Sequence, residues 1–360
     1  MMTIEELQHL CLGCMQPLPH LGEICPNCGW LNGRPNGKNH LIPGSILAGK
    51  YLVGKTLGRG GFGITYLGWS IVQNCKVAIK EFFPDQNMVH RDNNHYTVNP
   101  IADRNIKNLF DNGKKKFFEE SQVLARFDAN PNVVSVIDFF FENNTAYIVM
   151  EFLNGVTLMK YMERVNRPLG LQEIFNILDP IVKALEKIHE QQLLHRDISP
   201  DNIMITSTGT KLLDFGAARA FSLDGHRRNT VFVKFGYAPQ EQFISTGHQG
   251  PWTDEHAFAA TIYHAITGNA PPSLTERVGM GNVDSLMPPT SYGINLPPIQ
   301  ESALLKGMAI DYKDRYQTLT EFYNAFKGKD SNNRTNGKVN GITSNFFGNI
   351  IEKFFRIIKQ

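Results

Sequence analysis

The chain has 360 residues, of which 42% are hydrophobic and 19% charged, and its formal net charge is +2. This length is sufficient for a full-sized core and more than one domain, and the near-neutral charge favours no particular class of partner. The sequence has no run of about 18 apolar residues, and its acidic, polar start differs from a secretory signal, so we expect a cytoplasmic protein without an ordinary transmembrane helix.

The first 32 residues form a cysteine-rich unit. Four of the five cysteines lie there in two C-x-x-C pairs, Cys11, Cys14, Cys25 and Cys28. Four thiolates at this spacing are typical of tetrahedral Zn²⁺ with no open position, which predicts a structural zinc ribbon over residues 1–32. The unit is too short for a thioredoxin-like redox domain, and its few Lys and Arg residues argue against nucleic-acid binding.

A linker and a strand-rich region follow. Residues 33–45 are rich in Gly, Pro and Asn and are predicted to be a linker. The stretch "YLVGKTLGRGGFGITYLGWS" predicts two strands joined by a glycine turn, and "CKVAIKEFF" predicts a third. A helix is predicted in "KKKFFEESQVLARF", and a hairpin turns at Asn143-Asn144. The polar stretch between "CKVAIKEFF" and this helix has no clear period, and we expect a loop there.

Helices dominate after Gly155, as "LQEIFNILDPIVKALEKIHEQ" and "TDEHAFAATIYHAITG" show by their periodic apolar residues. A strand-rich half followed by a helix-rich half predicts an α+β, two-lobed body. Residues 329–341 are polar and predict a flexible linker, and residues 342–360 predict an amphipathic helix. That helix has three open interpretations: it lies on a membrane surface as a peripheral anchor, it docks on a protein, or it is the relic of a longer protein.

Glycines and one lysine predict a phosphate site in the strand-rich half. Glycine lets the backbone approach phosphates closely, and the glycines concerned are Gly58, Gly60, Gly61 and Gly63. A strand follows them, which excludes a dinucleotide-binding fold. Lys80, in "VAIK", is predicted to face inward, where its ammonium needs a partner such as a phosphate and the carboxylate of Glu120. The alternative is that Lys80 is a solvated strand residue.

The stretch "LLHRDISPDNIMI" and the later "LLDFGAAR" complete a phosphoryl-transfer pattern. Asp197 fits the carboxylate that orients an attacking hydroxyl and accepts its proton, while Asn202 and Asp214 fit the oxygen ligands of Mg²⁺. Any one of these residues alone is better explained by a turn or a helix cap. Their occurrence in this order, after the glycines and "VAIK", favours the functional interpretation.

This order of motifs resembles the eukaryotic-type protein kinase family, in particular its bacterial serine/threonine branch. The resemblance covers about residues 48–327 and rests also on "GGFGITYLG" and "GYAPQEQF". It implies a two-lobed protein kinase fold over residues 46–328, with an N-lobe at about 46–152 and a C-lobe at about 153–328. The zinc ribbon and the C-terminal amphipathic helix flank that fold.

The resemblance also implies residue roles. Lys80 would hold the α- and β-phosphates of ATP and pair with Glu120, Asp197 would be the catalytic base, and Asn202 and Asp214 would hold Mg²⁺ or Mn²⁺. Asp254 would brace the HRD stretch. Glu241 and Arg315 would form a structural ion pair. The remaining ATP-binding residues would be the four glycines together with Leu57, Thr65, Ala78, the gatekeeper Met150, Glu151, Leu153 and Met204.

Two catalytic positions depart from the family. Ser199 stands where serine/threonine kinases usually carry Lys, and counting back from Glu241 places Lys234 where they carry Thr. We hypothesise that the two groups have exchanged places, so that Lys234 brings positive charge to the transferred phosphate and Ser199 hydrogen-bonds near Asp197. The alternative is that Lys234 is a solvated loop residue and Ser199 only fills space. A milder departure is Thr65, where Val is usual.

Arg196 precedes Asp197 and predicts control by phosphorylation of the loop after Asp214, at Thr230 or Ser222. The alternative is a loop that is ordered without phosphate. Together these features predict an ATP- and Mg²⁺-dependent kinase of protein serine and threonine residues. The alternatives are a pseudokinase scaffold, which the intact motif residues argue against, and a small-molecule kinase, which the long segment from Asp214 to Glu241 disfavours. The substrate, the partner of the zinc ribbon and the oligomeric state stay open.

Overall fold

The protein is described by a computed structural model that covers residues 4–61, 63–85, 87–214, 234–244, 247–279 and 284–329. These residues fall into two units. The first unit comprises the described residues up to 129 together with 134–153, and it is rich in strands. The second comprises 130–133 and the described residues from 154 onward, and it is mainly helical, which confirms the predicted α+β class. The predicted helix at 342–360 lies outside the described residues, as do Ser222 and Thr230.

The first unit is built on a six-stranded antiparallel sheet in the order β1-β2-β3-β4-β8-β7, with β5 and β6 forming a separate two-stranded hairpin. Its elements are α1 (Ile4–Gln8), β1 (Ile46–Leu47), β2 (Tyr51–Arg59), β3 (Gly63–Ser70), β4 (Cys75–Phe82), β5 (Val89–Arg91), β6 (Val98–Pro100), α2 (Arg104–Leu124), β7 (Val136–Glu142) and β8 (Thr145–Glu151).

The strands predicted from sequence are present. The glycine turn joins β2 to β3, and β4 follows with its last four residues buried. The β7–β8 hairpin turns at Asn143-Asn144, whose φ angles of 52° and 58° are those of a two-residue turn that favours Asn. The core of this unit is lined by β-branched and aromatic residues of β4 and β8, and α2 packs on it through Phe110 and Phe117.

The stretch between β4 and Lys114, where the predicted helix begins, was expected to be a loop but has regular structure. It contains the β5–β6 hairpin and the first three turns of α2, which begins at Arg104 behind an N-cap formed by Asp103. Val89 and Val98 are fully buried in the core. The expectation was wrong because each strand has only three residues, too few for an alternating pattern to stand out from polar neighbours.

The second unit contains a three-stranded antiparallel sheet in the order β11-β10-β9 and a group of helices. Its elements are β9 (Gly155–Thr157), α3 (Leu158–Val165), α4 (Leu171–Glu190), β10 (Ile203–Thr206), β11 (Gly209–Leu212), α5 (Gln240–Phe243), α6 (Pro251–Thr267), α7 (Leu274–Arg277), α8 (Pro298–Gly307) and α9 (Leu319–Phe326). The two long helices predicted from sequence are α4 and α6.

The helical core is fixed by aromatic packing. Phe258 of α6 meets Phe322 of α9 edge to face with ring centroids 6.5 Å apart, and Phe175 of α4 meets Phe326 at 5.8 Å. Helix α6 is almost entirely buried along its length. This rigid base holds the segment 193–202, called here the HRD segment, which connects α4 to β10.

Candidate active site

The glycine turn in the first unit is built for close approach. A Cβ added at Gly63 would lie 2.3 Å from the carbonyl oxygen of Glu81, so β3 and β4 can pair there only through glycine. An added Cβ at Gly58 or Gly60 would meet no described atom within 4 Å. The turn is closed by a 2.9 Å hydrogen bond from the Gly60 N–H to the Gly63 carbonyl. The described atoms therefore leave open space beside the backbone of Gly58 and Gly60.

Lys80 lies on β4 with only 9% of its surface exposed. Its Nζ is 5.7 Å from the ring centroid of Phe117 on α2. Glu120, which is half-buried, follows Phe117 by three residues, and residues three apart share one face of a helix. The structure thus brings Lys80 to the turn of α2 that carries Glu120, and the ion pair between them stays a prediction.

The predicted adenine-binding residues of the first unit are neighbours on β3, β4 and β8. Ala78 is paired with the gatekeeper Met150, and Thr65 is paired with Lys80 across the β3–β4 ladder. The N–H of Glu151 donates to the Ser135 carbonyl at 3.0 Å, and its side chain accepts from the Ser135 N–H at 2.8 Å. These bonds fix the end of β8. Two more predicted residues flank this group, the exposed Leu57 at the end of β2 and the half-buried Leu153 after β8.

The HRD segment in the second unit holds Asp197 and Asn202 together. The Nδ2 group of Asn202 donates to Oδ2 of Asp197 at 2.7 Å and to its carbonyl oxygen at 2.8 Å. The Asn202 carbonyl in turn accepts from the N–H of Leu213, the residue before Asp214. These hydrogen bonds connect the backbone that carries Asp197 and Asn202 to the backbone just before Asp214. Met204, half-buried on β10, follows Asn202 by two residues.

Asp254, at the start of α6, braces the HRD segment as predicted. Its carboxylate accepts hydrogen bonds from the N–H groups of His195 at 2.8 Å and Arg196 at 2.7 Å. Arg196 has a φ of 67°, which a non-glycine residue adopts only when its surroundings enforce it. The two bonds hold the backbone before this angle, and Gln242 Nε2 donates to the Arg196 carbonyl after it at 2.8 Å, so both sides are restrained.

The pKa values of His195 and Asp254 are both shifted, and both side chains are fully buried. Burial lowers the pKa of His195 to about 4, although the carboxylates of Asp254 and Asp214 oppose the shift. Burial alone would raise the pKa of Asp254, but hydrogen bonds from the His189 ring and the backbone hold it below its usual range. The brace is therefore a buried carboxylate facing a neutral His195 at neutral pH.

Lys234 and Ser199 are in direct contact. Lys234 Nζ donates to Ser199 Oγ at 3.0 Å and also contacts the carboxylate of Asp201. Ser199 is fully buried, whereas about a third of the Lys234 side chain is exposed. An ammonium therefore lies beside the residue two positions after Asp197, although it is supplied by another part of the chain.

The predicted ion pair between Glu241 and Arg315 is confirmed. Two Arg315 nitrogens donate to the Glu241 carboxylate at 2.8 and 3.2 Å, and both side chains are buried. Arg315 also donates to the carbonyls of Ala309, Ile310 and Trp252, so all five of its N–H donors are satisfied within the fold.

The four N-terminal cysteines converge. All four Sγ atoms lie within 4.8 Å of one another, with Cys11–Cys28 at 3.6 Å and Cys14–Cys25 at 3.7 Å. Zn–S bonds of about 2.3 Å in a tetrahedron place sulfur atoms about 3.8 Å apart. The donor set and its spacing therefore fit Zn²⁺.

The cysteine unit packs against the main sheet within the first unit. Leu12 lies between the first two cysteines, and its carbonyl accepts from the N–H of Lys55 on β2 at 2.8 Å. Around this bond, an apolar cluster joins residues of the cysteine unit to residues of the sheet: Leu7, Leu10, Leu12 and Met15 with Leu52, Leu67 and Ile71. The sequence left the partner of this unit open, and docking on the rest of the chain was one of the possibilities.

Two further residues were missed. His189 on α4 donates from Nε2 to Asp254 Oδ2 at 2.8 Å, and its only signal was a histidine near the end of a predicted helix. Asn36, in the segment predicted as a linker, bonds through its side chain to the Gly54 carbonyl and the Thr56 N–H of β2. An asparagine in a Gly- and Pro-rich segment is usually a turn residue, so no sequence signal marked it.

Within the described ranges, no helix is both long and apolar enough to span a bilayer. This finding applies to the part of the chain whose structure is given above.

Residues 51–291 match the protein kinase domain family. The chain is 28% identical over 303 residues to the serine/threonine-protein kinase PrkC of Bacillus subtilis, which covers 83% of this chain and 43% of PrkC. It is 29% identical over 284 residues to the probable serine/threonine-protein kinase PknB of Lactococcus lactis, covering 77% of this chain and 42% of PknB. The chain thus spans less than half the length of these curated relatives.

Solved structures show the same similarity. PpkA-294 in its apo form matches with a TM-score of 0.69 and 30% identity, covering 80% of this chain and 99% of that one. The PknI kinase domain of Mycobacterium tuberculosis matches with a TM-score of 0.60 over 80% of this chain and 98% of its own, and its 24% identity supports the fold alone.

Proposed function

The chain belongs to the protein kinase domain family, and on this premise we propose that it transfers the γ-phosphate of ATP to serine and threonine hydroxyls of proteins. The observation that carries the proposal is the HRD segment, where Asn202 holds the carboxylate of Asp197 at 2.7 Å and Asp254 fixes the backbone before it. A scaffold without catalysis has no need for a strained Arg196 backbone held by two buried hydrogen bonds.

ATP binding falls to the residues named from the family resemblance. Amides of the glycine turn and the Lys80 ammonium bind phosphate oxygens, while the backbone of Glu151 and Leu153 contacts the adenine edge. Ala78, Met150 and Leu57 of the first unit contact the base and Glu120 orients Lys80, while Met204 is assigned to the base by the family resemblance alone. Support comes from the open space beside Gly58 and Gly60 and from the position of Lys80 next to the Phe117 turn of α2.

Asn202 and Asp214 fit Mg²⁺ or Mn²⁺ by their chemistry. Both Nδ2 hydrogen bonds of Asn202 go to Asp197, which leaves its Oδ1 on the other side of the amide, and Asp214 supplies a carboxylate. Oxygen donors of this kind are those that Mg²⁺ prefers. When bound, the ion neutralises charge on the transferring phosphate.

Transfer itself requires one bond to form and one to break. The substrate hydroxyl oxygen attacks the γ-phosphorus, the bond between the γ-phosphorus and the β,γ-bridging oxygen breaks, and ADP leaves. The hydroxyl proton passes to Asp197, whose carboxylate is oriented by Asn202. Positioning and charge stabilisation supply most of the acceleration in such reactions.

Lys234 supplies the positive charge that Ser199 lacks. The 3.0 Å contact between Lys234 Nζ and Ser199 Oγ, together with the contact to Asp201, supports an exchange of the usual lysine and hydroxyl positions. A lysine ammonium acts as a point charge, so its stabilisation of the phosphate does not depend on which part of the chain carries the lysine. Both residues thereby belong to the catalytic group.

The cysteine cluster holds a structural zinc ion. Four thiolates leave no open position for chemistry, and the 3.6 and 3.7 Å sulfur spacings suit the ion. The docking of Leu12 on β2 makes the ribbon a supporting part of the first unit.

Control and location follow from the segments outside the described residues. Phosphate on Thr230 or Ser222 would pair with Arg196 and order the loop. Residues 342–360 would bind a membrane surface or a protein through their apolar face, and protein substrates are the expected partners.

The function is tested with purified protein, labelled ATP and Mg²⁺, followed by mapping of phosphorylated residues by mass spectrometry. Transfer to serine or threonine that disappears in Asp197→Asn supports a kinase. ATP binding without any transfer would favour the pseudokinase scaffold instead.

The exchange is tested separately by moving the two groups back. Lys234→Ala is expected to lose about 10²-fold or more in kcat, whereas Lys160→Ala removes an exposed lysine of α3 and serves as the control. The double variant Ser199→Lys with Lys234→Thr is expected to recover most of the lost rate. A loss of only a few-fold in Lys234→Ala would contradict the exchange.

A further inference from the structure

The residue after Lys80 is a fully buried glutamate that the proposed mechanism does not use. Glu81 accepts a 2.5 Å hydrogen bond from Arg91 Nη2 on β5, and both side chains are at most 1% exposed. The hydroxyls of Tyr66 and Tyr147 also donate to its two oxygens, at 2.9 and 2.8 Å. An isolated buried charge is costly, and here every neighbour is arranged to satisfy this one.

Arg91 is as fully engaged as Glu81. Its Nη1 donates to the Tyr96 carbonyl at 2.5 Å, and its Nε donates to the Asn39 carbonyl at 3.1 Å. The guanidinium also lies 5.2 Å from the ring centroid of Phe83. One arginine therefore joins the β5–β6 hairpin to the end of β4 through directional contacts.

The two faces of β4 have different partners. Side chains alternate along a strand, so Lys80 and Phe82 share one face and Glu81 has the other. On the first face, Phe82 meets Phe110 and Phe117 of α2, with centroids 5.6 and 5.5 Å apart. On the second face, Glu81 meets Arg91. The hairpin thus anchors on the face opposite the one that α2 covers.

The hairpin leads directly into α2. Only three residues separate Pro100, the end of β6, from Arg104, the start of the helix. The N–H of Ile101 donates to the Met88 carbonyl at 2.9 Å, and Asp103 caps the first turn. Wherever the hairpin is fixed, the root of α2 is fixed as well.

A second contact joins the hairpin and α2 at the β7–β8 turn. Asn144 Nδ2 donates to the Val98 carbonyl of β6 at 2.8 Å, and Lys114 of α2 donates to Asn144 Oδ1 at 3.2 Å. Apolar packing holds a helix against a sheet but is non-directional. Directional contacts at the root and at this turn define the rotation of the helix and the position of Glu120.

We propose that the β5–β6 hairpin is a built-in anchor of α2, in which Arg91 and Glu81 are positioning residues that act on phosphoryl transfer through Glu120 and Lys80. The proposal rests on the proposed kinase function. It assigns a role to the stretch after β4 for which the sequence predicted only a loop. With this anchor, contacts within the chain hold α2 at its first turn and at the β7–β8 turn.

The test combines turnover with hydrogen exchange of α2. In Arg91→Met we expect kcat to fall about 10- to 100-fold with the KM for ATP changed by no more than about 3-fold, because alignment is lost while the phosphate-binding groups remain. Exchange of the α2 amides is expected to be about 10-fold faster, with β8 amides unchanged. Arg91→Lys should recover part of both effects. Lys115→Ala, which breaks an exposed ion pair on α2 itself, is the control.

A milder variant guards against misfolding of Arg91→Met. Asn144 has a φ of 58°, so Asn144→Gly keeps the turn and removes only the side-chain contacts to Val98 and Lys114. Faster α2 exchange and lower kcat in this folded variant would support the anchor. If α2 exchange and kcat in Asn144→Gly, or in folded Arg91→Met, equalled those of the wild type, the proposal would be overturned. If the wild type transferred no phosphate, the kinase proposal would fail, and α2 exchange would still decide whether the anchor exists.

Discussion

The cysteine ribbon docks on β2 at Gly54, and the substitution Gly54→Ala, which adds one methyl group, tests this docking. A Cβ added at Gly54 would lie 2.4 Å from the Leu12 carbonyl oxygen, 2.5 Å from Met15 Cε and 3.0 Å from the Leu67 carbonyl oxygen. Met15 can move its flexible end, but both oxygens are backbone atoms. Gly54→Ala therefore forces the ribbon away from the sheet or distorts the β2–β3 ladder.

The size of the effect follows from the distances. Ordinary contact with the Leu12 oxygen begins near 3.4 Å, so the ribbon must move by about 1 Å. Overpacking of this kind costs about 1–3 kcal/mol, and the hydrogen bond from Lys55 to Leu12 contributes about 1 kcal/mol more. A total of about 2–4 kcal/mol lowers the unfolding midpoint of a domain of this size by about 4 to 16 °C.

The assay measures thermal unfolding and, in protein loaded with Zn²⁺ at the proposed site, the rate at which a chelator removes the ion. Gly54→Ala should unfold at lower temperature and lose zinc faster, because the knuckle around Leu12 is no longer held against β2. Gly58→Ala is the matched control for stability, since a Cβ on this glycine of the same strand meets no described atom within 4 Å. Equal midpoints and equal chelation rates in the two variants would refute the docking argument.

Three further changes test the second unit. Arg315→Met should cost about 3–5 kcal/mol of unfolding free energy, measured by urea denaturation, because Glu241 is left buried and unpaired. Asp254→Ala should lower kcat about 10²-fold, because the Arg196 backbone loses its restraint, while the variant stays folded and still binds ATP. Turnover assays and ATP titration measure the two effects. The pKa of His195 is about 4 when folded and near 6.5 when unfolded, so this residue stabilises the fold less as pH falls through that window; between pH 7 and pH 5 we expect a loss on the order of 2 kcal/mol that His195→Phe no longer shows.

Long periodic elements and short catalytic motifs could be predicted from the sequence. Helices α4 and α6 repeat apolar residues over more than four turns, and the paired asparagines at 143 and 144 specify a two-residue turn by their own conformational preference. Asp197 and Asn202 are five residues apart, so their contact needs only a local turn. The contact between Ser199 and Lys234 spans 35 residues, yet it could be anticipated because both positions are counted from fixed motifs.

The contacts that could not be predicted place a residue in an environment unusual for its residue type or for the composition of its segment. Arg91 is among the residue types most often exposed, so nothing in "NMVHRDNN" marks it as buried. Leu41 is fully buried although it lies in a segment whose composition is that of a linker. Such placements depend on which distant groups the fold brings near, and a sequence pattern contains no record of that.

The segment before β1 explains why the ribbon and the β5–β6 hairpin belong to one arrangement. Asn36 bonds to β2 beside the docking point of the ribbon, and Asn39 bonds to Arg91 through its carbonyl and its side chain. Two residues after Asn39, the Leu41 N–H donates to the hydroxyl of Tyr66, which also donates to Glu81. Six residues of chain therefore connect the strand that leads into the glycine turn with the carboxylate beside Lys80. Since the members of a hydrogen-bonded network support one another, we expect loss of the ribbon to displace both the glycine turn and Lys80, the two elements proposed to bind phosphate.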